Sequence, residues 1–446
     1  MNNSDSFTYS TNKPDVDDCE YVLGKFCKSL IENRIRDFSY FDLVSTLEKD
    51  CKEKLISVDV RIIVDILVSN NILLRFGDRM EFKHSYWIYY FAASYMLQDS
   101  NFKDYILNDR NYVNFPEIIE FYTGIDGRRE AAIQVLLKDI KELIDKVERK
   151  IGITENFTPF EGVVWNPSES AIETIRKDIS EKVKQSNLPT SIKDQHADQH
   201  YNSEAPYDQS IRQFLNEYSV ISLMQSIKAS SRALRNSNYI EPELKKEMMH
   251  TIFNGWEQIS KVLFWLSPTL AQKGNALYEG LHVLLARNSF KGSDYEKLKA
   301  IYLAIPYNIV TYFKDDLSSM KMGPLVFECL NNNNESELQK HFIALFLIME
   351  RPVDWPQQLF DFMNLLHRNS FLLSDLQSSI DNEMKNGFIS DDDVRQLKKL
   401  KSIVVAKYEY APKSKVTQIP KDMTINKANK LQLDKILASG RKQKLD

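Results

Sequence analysis

The sequence predicts a mainly α-helical protein, in which a winged helix-turn-helix with a small β-hairpin is followed by a helical bridging domain and a helical array. Three observations indicate this fold class. The 446 residues include only 13 glycines and 14 prolines, whereas proteins built from many strands need these residues in frequent turns. Apolar residues recur at helical spacing along most of the chain. One short segment alternates apolar and polar residues about a two-residue turn, as a β-hairpin does.

The first two helices are indicated by apolar spacing and by a capping pattern. Residues 20–33 carry apolar side chains three and four residues apart, which predicts a helix that begins near Glu20. Ser39 precedes Asp42 by three residues, the spacing of a capping box, so a second helix is predicted to begin there. Residues 58–71 (VDVRIIVDILVSNN) predict the third helix.

A hairpin and an aromatic helix are predicted to follow the three helices. Residues 72–84 (ILLRFGDRMEFKH) alternate in polarity around a central Gly-Asp pair, with Phe82 and His84 as the last strand residues. From Ser85 the chain is predicted to become helical. One side of that helix would carry Trp87, Tyr90, Phe91 and Ser94. Three helices followed by a hairpin is the order of a winged helix, which the sequence predicts for residues 20–98.

The rest of the chain is predicted to be helical apart from polar segments. Residues 115–150 predict a short helix, a break at two glycines and a long amphipathic helix. Beyond residue 209, helices follow one another with turns at polar segments such as residues 267–275 (SPTLAQKGN). The predicted domains are a disordered N-terminus (1–19), the winged-helix domain with its aromatic helix (20–98), a helical bridging domain (99–186), a linker (187–209), a C-terminal helical domain (210–410) and a basic tail (411–446).

Composition excludes several classes of protein. The 43% hydrophobic and 27% charged residues are typical of soluble globular chains, and a net charge of -4 gives no general reason to expect nucleic acid or an anionic membrane as partner. Residues 1–20 hold no apolar secretory segment, and apolar runs such as residues 343–349 are too short to span a membrane. The four cysteines form no CxxC pair, so a reducing cytoplasm is the predicted location.

Residues 82–97 (FKHSYWIYYFAASYML) resemble a signature of NACHT-type and related STAND NTPases, the signal-transducing ATPases of innate immunity and bacterial anti-phage defence. In that family the signature closes a winged-helix domain that follows the NTPase core. Phe82 and His84 occupy its first positions, and Trp87 stands where an aromatic residue is expected. The matching positions that follow are Tyr90, Phe91, Ala92, Ala93, Tyr95 and Leu97, whereas Tyr89 replaces an acidic residue.

The resemblance implies roles for individual residues. In several members the histidine at the position of His84 contacts the β-phosphate of bound ADP and holds the protein in a closed, inactive state. An imidazole suits a diphosphate through hydrogen bonding and charge. The resemblance also implies that the aromatic helix locks the winged helix to the next helical domain, with Phe82, Trp87, Tyr90 and Phe91 as the clamping side chains. From the residues alone, the favoured reading of His84 is a histidine at a strand end that hydrogen-bonds a backbone carbonyl, and nucleotide sensing with a partner chain is the second reading.

The chain carries no phosphate-binding P-loop, because none of its glycines stands in a G-x-x-x-x-G-K-[ST] run. We therefore expect no catalysis, no catalytic residues and no metal site, and binding of ADP or ATP only together with a partner NTPase domain. The NTPase would lie on another polypeptide or have been lost. The favoured function is the sensing and regulatory portion of a STAND-like defence system, in which the helical array binds a trigger protein. His196 and His200, spaced like metal ligands, sit in the polar linker and are read as solvated.

The alternative function is a winged-helix DNA-binding regulator with a helical oligomerisation region. Its contacts would come from Arg61 in the third helix and from Arg75 and Arg79 in the wing. Asp59 and Asp65 in the same helix oppose this reading, because they would face phosphates. A helical scaffold, in which the winged helix serves only for packing, is a third reading. The tail, with nine basic residues against three Asp, is either a solvated end or a contact for nucleic acid or an acidic partner.

Overall fold

The computed structural model describes residues 14–35, 37–108, 110–152, 159, 219–279, 281–285, 293–332, 335–366, 370–386 and 389–410. This part of the chain is mainly helical, which confirms the predicted class. Its contacts divide it into two compact units. The first unit runs to Leu136 and includes Asn236–Ile240, and the second comprises the remaining described residues. The predicted linker and basic tail lie outside the described residues, and the predicted domain bounds stay predictions.

The first unit is built from helices and three short strands. Its elements are α1 (Val16–Asn33), β1 (Asp37–Ser39), α2 (Tyr40–Lys54), α3 (Val60–Ser69), β2 (Leu73–Phe76), β3 (Arg79–Phe82), α4 (Tyr86–Tyr95), α5 (Ser100–Leu107), a 3-10 turn (Asn111–Val113), α6 (Pro116–Ile125) and the first turns of α7 (Glu130–Ile151). Helix α1 begins at Val16, because the side chain of Asp15 accepts a hydrogen bond from the amide of Asp17. Residues 16–19, predicted to be disordered, are therefore helical.

The second and third helices begin where the sequence predicts them. The Ser39 hydroxyl accepts a hydrogen bond from the amide of Asp42 at 2.9 Å, and the Asp42 carboxylate accepts one from the amide of Ser39 at 3.4 Å. This reciprocal pair is the predicted capping box. The carboxylate of Asp59 caps α3 by accepting from the amide of Arg61 at 3.0 Å. In each helix a side chain therefore satisfies one of the amide groups that the first turn leaves free.

The three strands form one antiparallel sheet in the order β1-β3-β2. In the central strand, Met80 faces Phe38 of β1 and Arg75 of β2. Phe38, Met80 and Phe82 are buried, so one face of the sheet covers the core of this unit. The hairpin turn falls at Gly77, with a φ of 70°, and Asp78, as predicted.

The second unit contains eight full helices and one hairpin among its described residues. Its elements are the remainder of α7, then α8 (Ser219–Asn236), α9 (Pro242–Lys273), β4 (Asn275–Tyr278), β5 (Leu281–Leu284), α10 (Asp294–Leu317), a 3-10 turn (Met320–Met322), α11 (Gly323–Asn331), α12 (Glu337–Glu350), α13 (Trp355–Leu365), α14 (Phe371–Asn386) and α15 (Asp391–Tyr410). Trp256 lies at the centre of its core and stacks on Phe313 with ring centroids 5.8 Å apart. No helix in the described ranges has both the length and the apolar character needed to cross a membrane.

Two predictions for this unit are wrong. Residues 267–275 were predicted to form a turn, but α9 continues through Pro268 to Lys273. The hydroxyl of Ser267 donates a hydrogen bond to the carbonyl of Phe264 at 2.7 Å and so replaces the bond that the proline, which has no amide hydrogen, cannot make. The hairpin β4–β5 was not predicted, because its strands are only four residues long and follow directly on a long helix.

Candidate functional site

The four aromatic side chains assigned to the clamp form one contiguous group, the aromatic cluster (Phe82, Trp87, Tyr90 and Phe91). The ring centroid of Phe91 lies 6.3 Å from that of Phe82 and 5.9 Å from that of Trp87. Tyr90 meets Trp87 edge-on at 6.2 Å and Phe91 at 5.3 Å. Phe82 also contacts Phe38 of β1 at 6.0 Å. The cluster therefore joins the sheet to α4 through aromatic contacts, each of which adds to the stability gained by burial.

Tyr90 extends these contacts to two further helices. Its ring meets Phe121 of α6 edge-on at 5.8 Å, and its hydroxyl donates a hydrogen bond to Glu20 of α1 at 2.8 Å. Ser94, one turn later in α4, donates to the second carboxylate oxygen of Glu20 at 3.2 Å. Burial, followed by the hydrogen bond and the negative charge of Glu20, raises the pKa of Tyr90 to about 12. The hydroxyl is therefore a donor throughout the physiological pH range.

Helix α1 crosses α4 at a point where only glycine fits. A Cβ atom placed on Gly24 would lie 2.8 Å from the carbonyl oxygen of Phe91 and 2.8 Å from the Cβ atom of Tyr95. Ala92 and Ala93, on α4, are fully buried beside this crossing. The backbones are thus held too close for a side chain at residue 24.

A second ionic contact fixes the C-terminal half of α1. The ammonium of Lys28 lies 2.8 Å from the carboxylate of Asp99, the residue that caps α5. The same ammonium stands over the rings of Tyr95 and Phe102, 5.9 and 5.6 Å from their centroids. Glu20, Gly24 and Lys28 follow one another at intervals of four residues, so one stripe of α1 makes all of these contacts.

His84 lies in the bend between β3 and α4, with an exposed side chain. The prediction that it would be a strand residue is wrong, because the ladder ends at the pair of Leu73 and Phe82 and leaves His84 without a partner residue on β2. Its ring stacks on that of Tyr86 with centroids 5.3 Å apart and an interplanar angle of 11°. An exposed imidazole held in this way remains accessible to a ligand or to a second protein.

The three arginines of the DNA-binding alternative have different surroundings. Arg61 is exposed on α3, one turn before the exposed Asp65. In the hairpin, the Arg75 guanidinium donates to the carbonyl of Gly77 at 3.0 Å and stacks over Tyr40 at 4.6 Å. Arg79 pairs with Asp37 at 2.6 Å. Two of the three arginine side chains thus already bond to groups of the same unit. This surface therefore offers little positive charge for DNA phosphates.

The structure does not bring together a metal site within the described residues. No group of three or more His, Cys, Asp or Glu side chains in that part of the chain is arranged to hold an ion. His196 and His200 lie outside the described residues. The four cysteines have free thiols, and burial raises the pKa of the fully buried Cys27. These thiols are consequently poor nucleophiles near neutral pH.

Sequence reasoning missed Glu20, the polar residue that holds α4 to α1. A signal for it is present in the helical spacing. Glu20 lies four residues before Gly24 and seven before Cys27, a buried residue, so this carboxylate belongs to the buried face of an amphipathic helix. A carboxylate in such a position needs hydrogen-bond donors from the facing helix, and Tyr90 and Ser94 supply them.

Comparison with known families adds one finding. The family model described as novel STAND NTPase 4 matches residues 36–92. This segment runs from β1 into α4 and contains His84 and the whole aromatic cluster. Comparison with curated proteins and comparison with solved structures each gave no significant match. The family match supports a relationship between this chain and the STAND-type NTPases over residues 36–92.

Proposed function

We propose that the chain is the non-catalytic sensing and regulatory portion of a STAND-like signalling system of the anti-phage defence type. The observation that carries this proposal is the position of the family match, residues 36–92. That segment ends in the helix whose aromatic face contacts α1, α6 and the sheet at once. Such an element suits a regulatory module, since packed side chains shared by several elements can carry a change in one element to the others.

The order of elements in the first unit supports a winged-helix assignment. Helix, strand, helix, helix and two strands follow in that order from α1 to β3, and β3 lies between β1 and β2 in an antiparallel sheet. In this assignment the β2–β3 hairpin is the wing and α3 is the recognition helix. Helix α4 then follows the wing directly, as the resemblance implies.

The proposed ligand of His84 is the diphosphate of a nucleotide held by a partner NTPase domain. The sequence offers no P-loop of its own, so ADP or ATP would reach this chain only in a complex. The imidazole of His84 is exposed and lies just before α4. A phosphate bound there would lie close to the helix that carries most of the aromatic cluster, and its binding could shift that helix. The C-terminal helices would bind a trigger protein, in the cytoplasm.

The DNA-binding alternative has less support. Between residues 20 and 98 the acidic and basic residues are equal in number, whereas a DNA reader needs a basic surface. Asp65 follows Arg61 on the exposed side of α3, and Arg79 already pairs with Asp37. We therefore assign the winged helix to protein contacts rather than to a DNA groove.

Purification of the full chain with any NTPase-bearing protein encoded by a neighbouring gene tests the proposal. ATP hydrolysis is measured for each protein and for the complex, and the nucleotide retained by the complex is identified by chromatography. The chain alone is expected to hydrolyse no ATP, and the complex to retain ADP. Replacing His84 by alanine is expected to lower ADP affinity about tenfold, the effect of losing one charge-assisted hydrogen bond.

Lys83→Ala is the matched control, because it removes a cation from the adjacent exposed position. A reduction in ADP affinity for His84→Ala alone supports a specific contact, and an equal reduction for both variants indicates only a general effect of positive charge. ATP hydrolysis by the isolated chain, or failure to bind any NTPase-bearing protein, would contradict the proposal.

A gel-shift series with duplex DNA between 50 and about 200 mM salt separates the rival function, since DNA contacts through phosphates weaken steeply with salt. The proposed function predicts weak binding with no sequence preference. Specific binding that Arg61→Ala abolishes would favour the DNA-binding regulator.

A further inference from the structure

A polar cleft of about 800 Å³ lies on the second unit. None of the elements that line it carries a residue of the aromatic cluster. Helices α7, α9 and α11 line it with charged and amide side chains. Those that matter here are Lys141, Lys246, Glu247, His250, Glu328 and Asn332. The charged groups pair with each other across the cleft, as Lys246 does with Glu328 at 2.7 Å and Lys141 with Glu247.

His250 is the group in this cleft that can titrate near neutral pH. Its Nδ1 atom is hydrogen-bonded to the carboxylate of Glu335, and its Nε2 atom lies 3.4 Å from the amide nitrogen of Asn332. Asn332 is the C-cap of α11 and Glu335 precedes the N-cap of α12, whereas His250 belongs to α9. The side chain of Glu335 is only 6% exposed, so its negative charge has little access to water and depends on nearby donors.

The charges around His250 favour its protonated form. The hydrogen bond to Glu335 raises the pKa of His250, burial opposes this, and the negative charges of Glu335 and Glu328 raise it further. The ammonium of Lys246 acts in the opposite direction, although it is itself neutralised by Glu328 and by Glu243 at 3.0 Å. From α7, Lys141 also faces the cleft, where Glu247 pairs with it. The net effect is a pKa above the ordinary value for histidine.

We propose that His250 is a proton-operated latch that holds Glu335, beside the N-cap of α12, on α9. With His250 protonated, the buried carboxylate of Glu335 accepts a charge-assisted hydrogen bond, which is about twice as strong as a neutral one. With His250 neutral, the bond weakens and a buried charge loses its counter-ion. The amide of Asn332 serves both states, because a rotation of its terminal group presents either an acceptor or a donor to Nε2.

The direction of the pH effect follows from the raised pKa. The stabilisation by the latch is complete below the pKa of histidine in the unfolded chain and is lost as pH rises through the higher pKa in the folded chain. A shift from mildly acidic to mildly alkaline conditions therefore weakens the contact between Glu335 and α9. Because His250 also lines the cleft, the charge of the cleft changes over the same pH range.

Hydrogen–deuterium exchange of the full chain at pH 6 and pH 9 tests the latch. Protection factors, corrected for the intrinsic pH dependence of exchange, are compared for peptides covering residues 326–340. Wild-type protection is expected to fall about tenfold at pH 9, the loss of one charge-assisted bond. His250→Gln and Glu335→Gln are each expected to show the weaker protection at both pH values, and the double variant to lose no more than either single variant.

Lys246→Gln is the matched control in the same cleft. The pKa of Lys246 is raised by its hydrogen bonds to Glu328 and Glu243, so this ion pair stays charged at both pH values, and its loss should lower protection equally at each. Circular dichroism identifies any variant that fails to fold, and the wild-type pH comparison then decides alone. Equal wild-type protection at pH 6 and pH 9, or unchanged pH dependence in His250→Gln, would overturn the proposal.

Discussion

The hydroxyl of Tyr90 donates a hydrogen bond of 2.8 Å to the carboxylate of Glu20, which lies 70 residues earlier in the chain. This bond joins the aromatic helix that follows the hairpin to the first helix of the unit. It coexists with the ring contact between Tyr90 and Phe121. One side chain of α4 therefore contacts both α1 and α6. A movement of either helix would change the contacts of the aromatic cluster.

Replacing Glu20 by glutamine should loosen the contact between α1 and α4. The amide lacks the negative charge that accepts from Tyr90 and Ser94, and the cost is expected to be about 1–2 kcal/mol. Because the raised pKa of Tyr90, about 12, depends in part on Glu20, that pKa should fall in the variant. Ultraviolet titration of tyrosinate, with Tyr90→Phe as the reference, measures the shift. An unchanged titration curve would show that the hydrogen bond contributes nothing.

Gly24→Ala should destabilise the first unit by about 1–3 kcal/mol, since the added methyl group forces two close-packed backbones apart. The matched control is Gly124→Ala in α6, where the nearest atom to a new Cβ is 3.9 Å away. That change should be neutral or stabilise the helix by up to about 1 kcal/mol. Hydrogen exchange of α1 and α4 compares the two variants, and similar results for both would refute the close-approach argument.

Phe91→Ala should destabilise the unit by about 3–5 kcal/mol, the range for removing a buried phenylalanine. Phe91 is 5% exposed and contacts Phe82, Trp87 and Tyr90. Phe41→Ala is the control, because Phe41 is 73% exposed and its loss should change stability by less than about 0.5 kcal/mol. Thermal unfolding of the full chain distinguishes them. Equal unfolding temperatures would mean that the aromatic cluster does not support the fold.

Asp99→Asn should show a stability loss that depends on pH. Burial acts to raise the pKa of Asp99, but hydrogen bonds from Lys28 and from the amide of Phe102 outweigh it, so the pKa is lowered. The carboxylate therefore contributes stability above the pKa of an unfolded aspartate, and this contribution is lost as pH falls through the lower folded value. Asparagine can still cap α5, so the variant removes the negative charge of residue 99 but keeps the capping hydrogen bond.

Urea unfolding at pH 7 and at about pH 2.5 checks this prediction. At pH 7 the variant should be less stable by about 0.5–1 kcal/mol, the usual worth of a partly exposed ion pair. At the acidic pH the difference should vanish. A difference that is the same at both pH values would assign the effect to helix capping rather than to the ion pair with Lys28.

Much of the first unit follows from local sequence rules. The capping box at Ser39 and Asp42 and the turn at Gly77 and Asp78 are confirmed, because short-range chemistry determines both. The end of β3 could not be predicted in the same way. The alternating pattern of Phe82 and His84 is the same whether or not the residues are paired in a sheet. Strand β3 ends at Phe82 because its partner, Leu73, is the first residue of β2.

The contacts of the candidate site depend on long-range packing. The cluster residues were predicted from their resemblance to a signature. Helical spacing places Glu20 on a buried face, but no local pattern identifies Tyr90 as its partner or as the partner of Phe121. In the second unit, His250 and Glu335 lie 85 residues apart and carry no motif that would join them. Propensity and periodicity define faces of helices, whereas the pairing of faces is decided by packing across the whole unit.

The hydroxyl of Ser267 replaces a backbone hydrogen bond that Pro268 cannot make in α9. A proline at residue 268 removes the amide that would normally satisfy the carbonyl of Phe264, and the hydroxyl of Ser267 is the substitute donor at 2.7 Å. Ser267 is 1% exposed, so water cannot take over that task. In this helix of 32 residues, a side-chain hydroxyl therefore supplies, within the same turn, the hydrogen bond that the neighbouring proline cannot make.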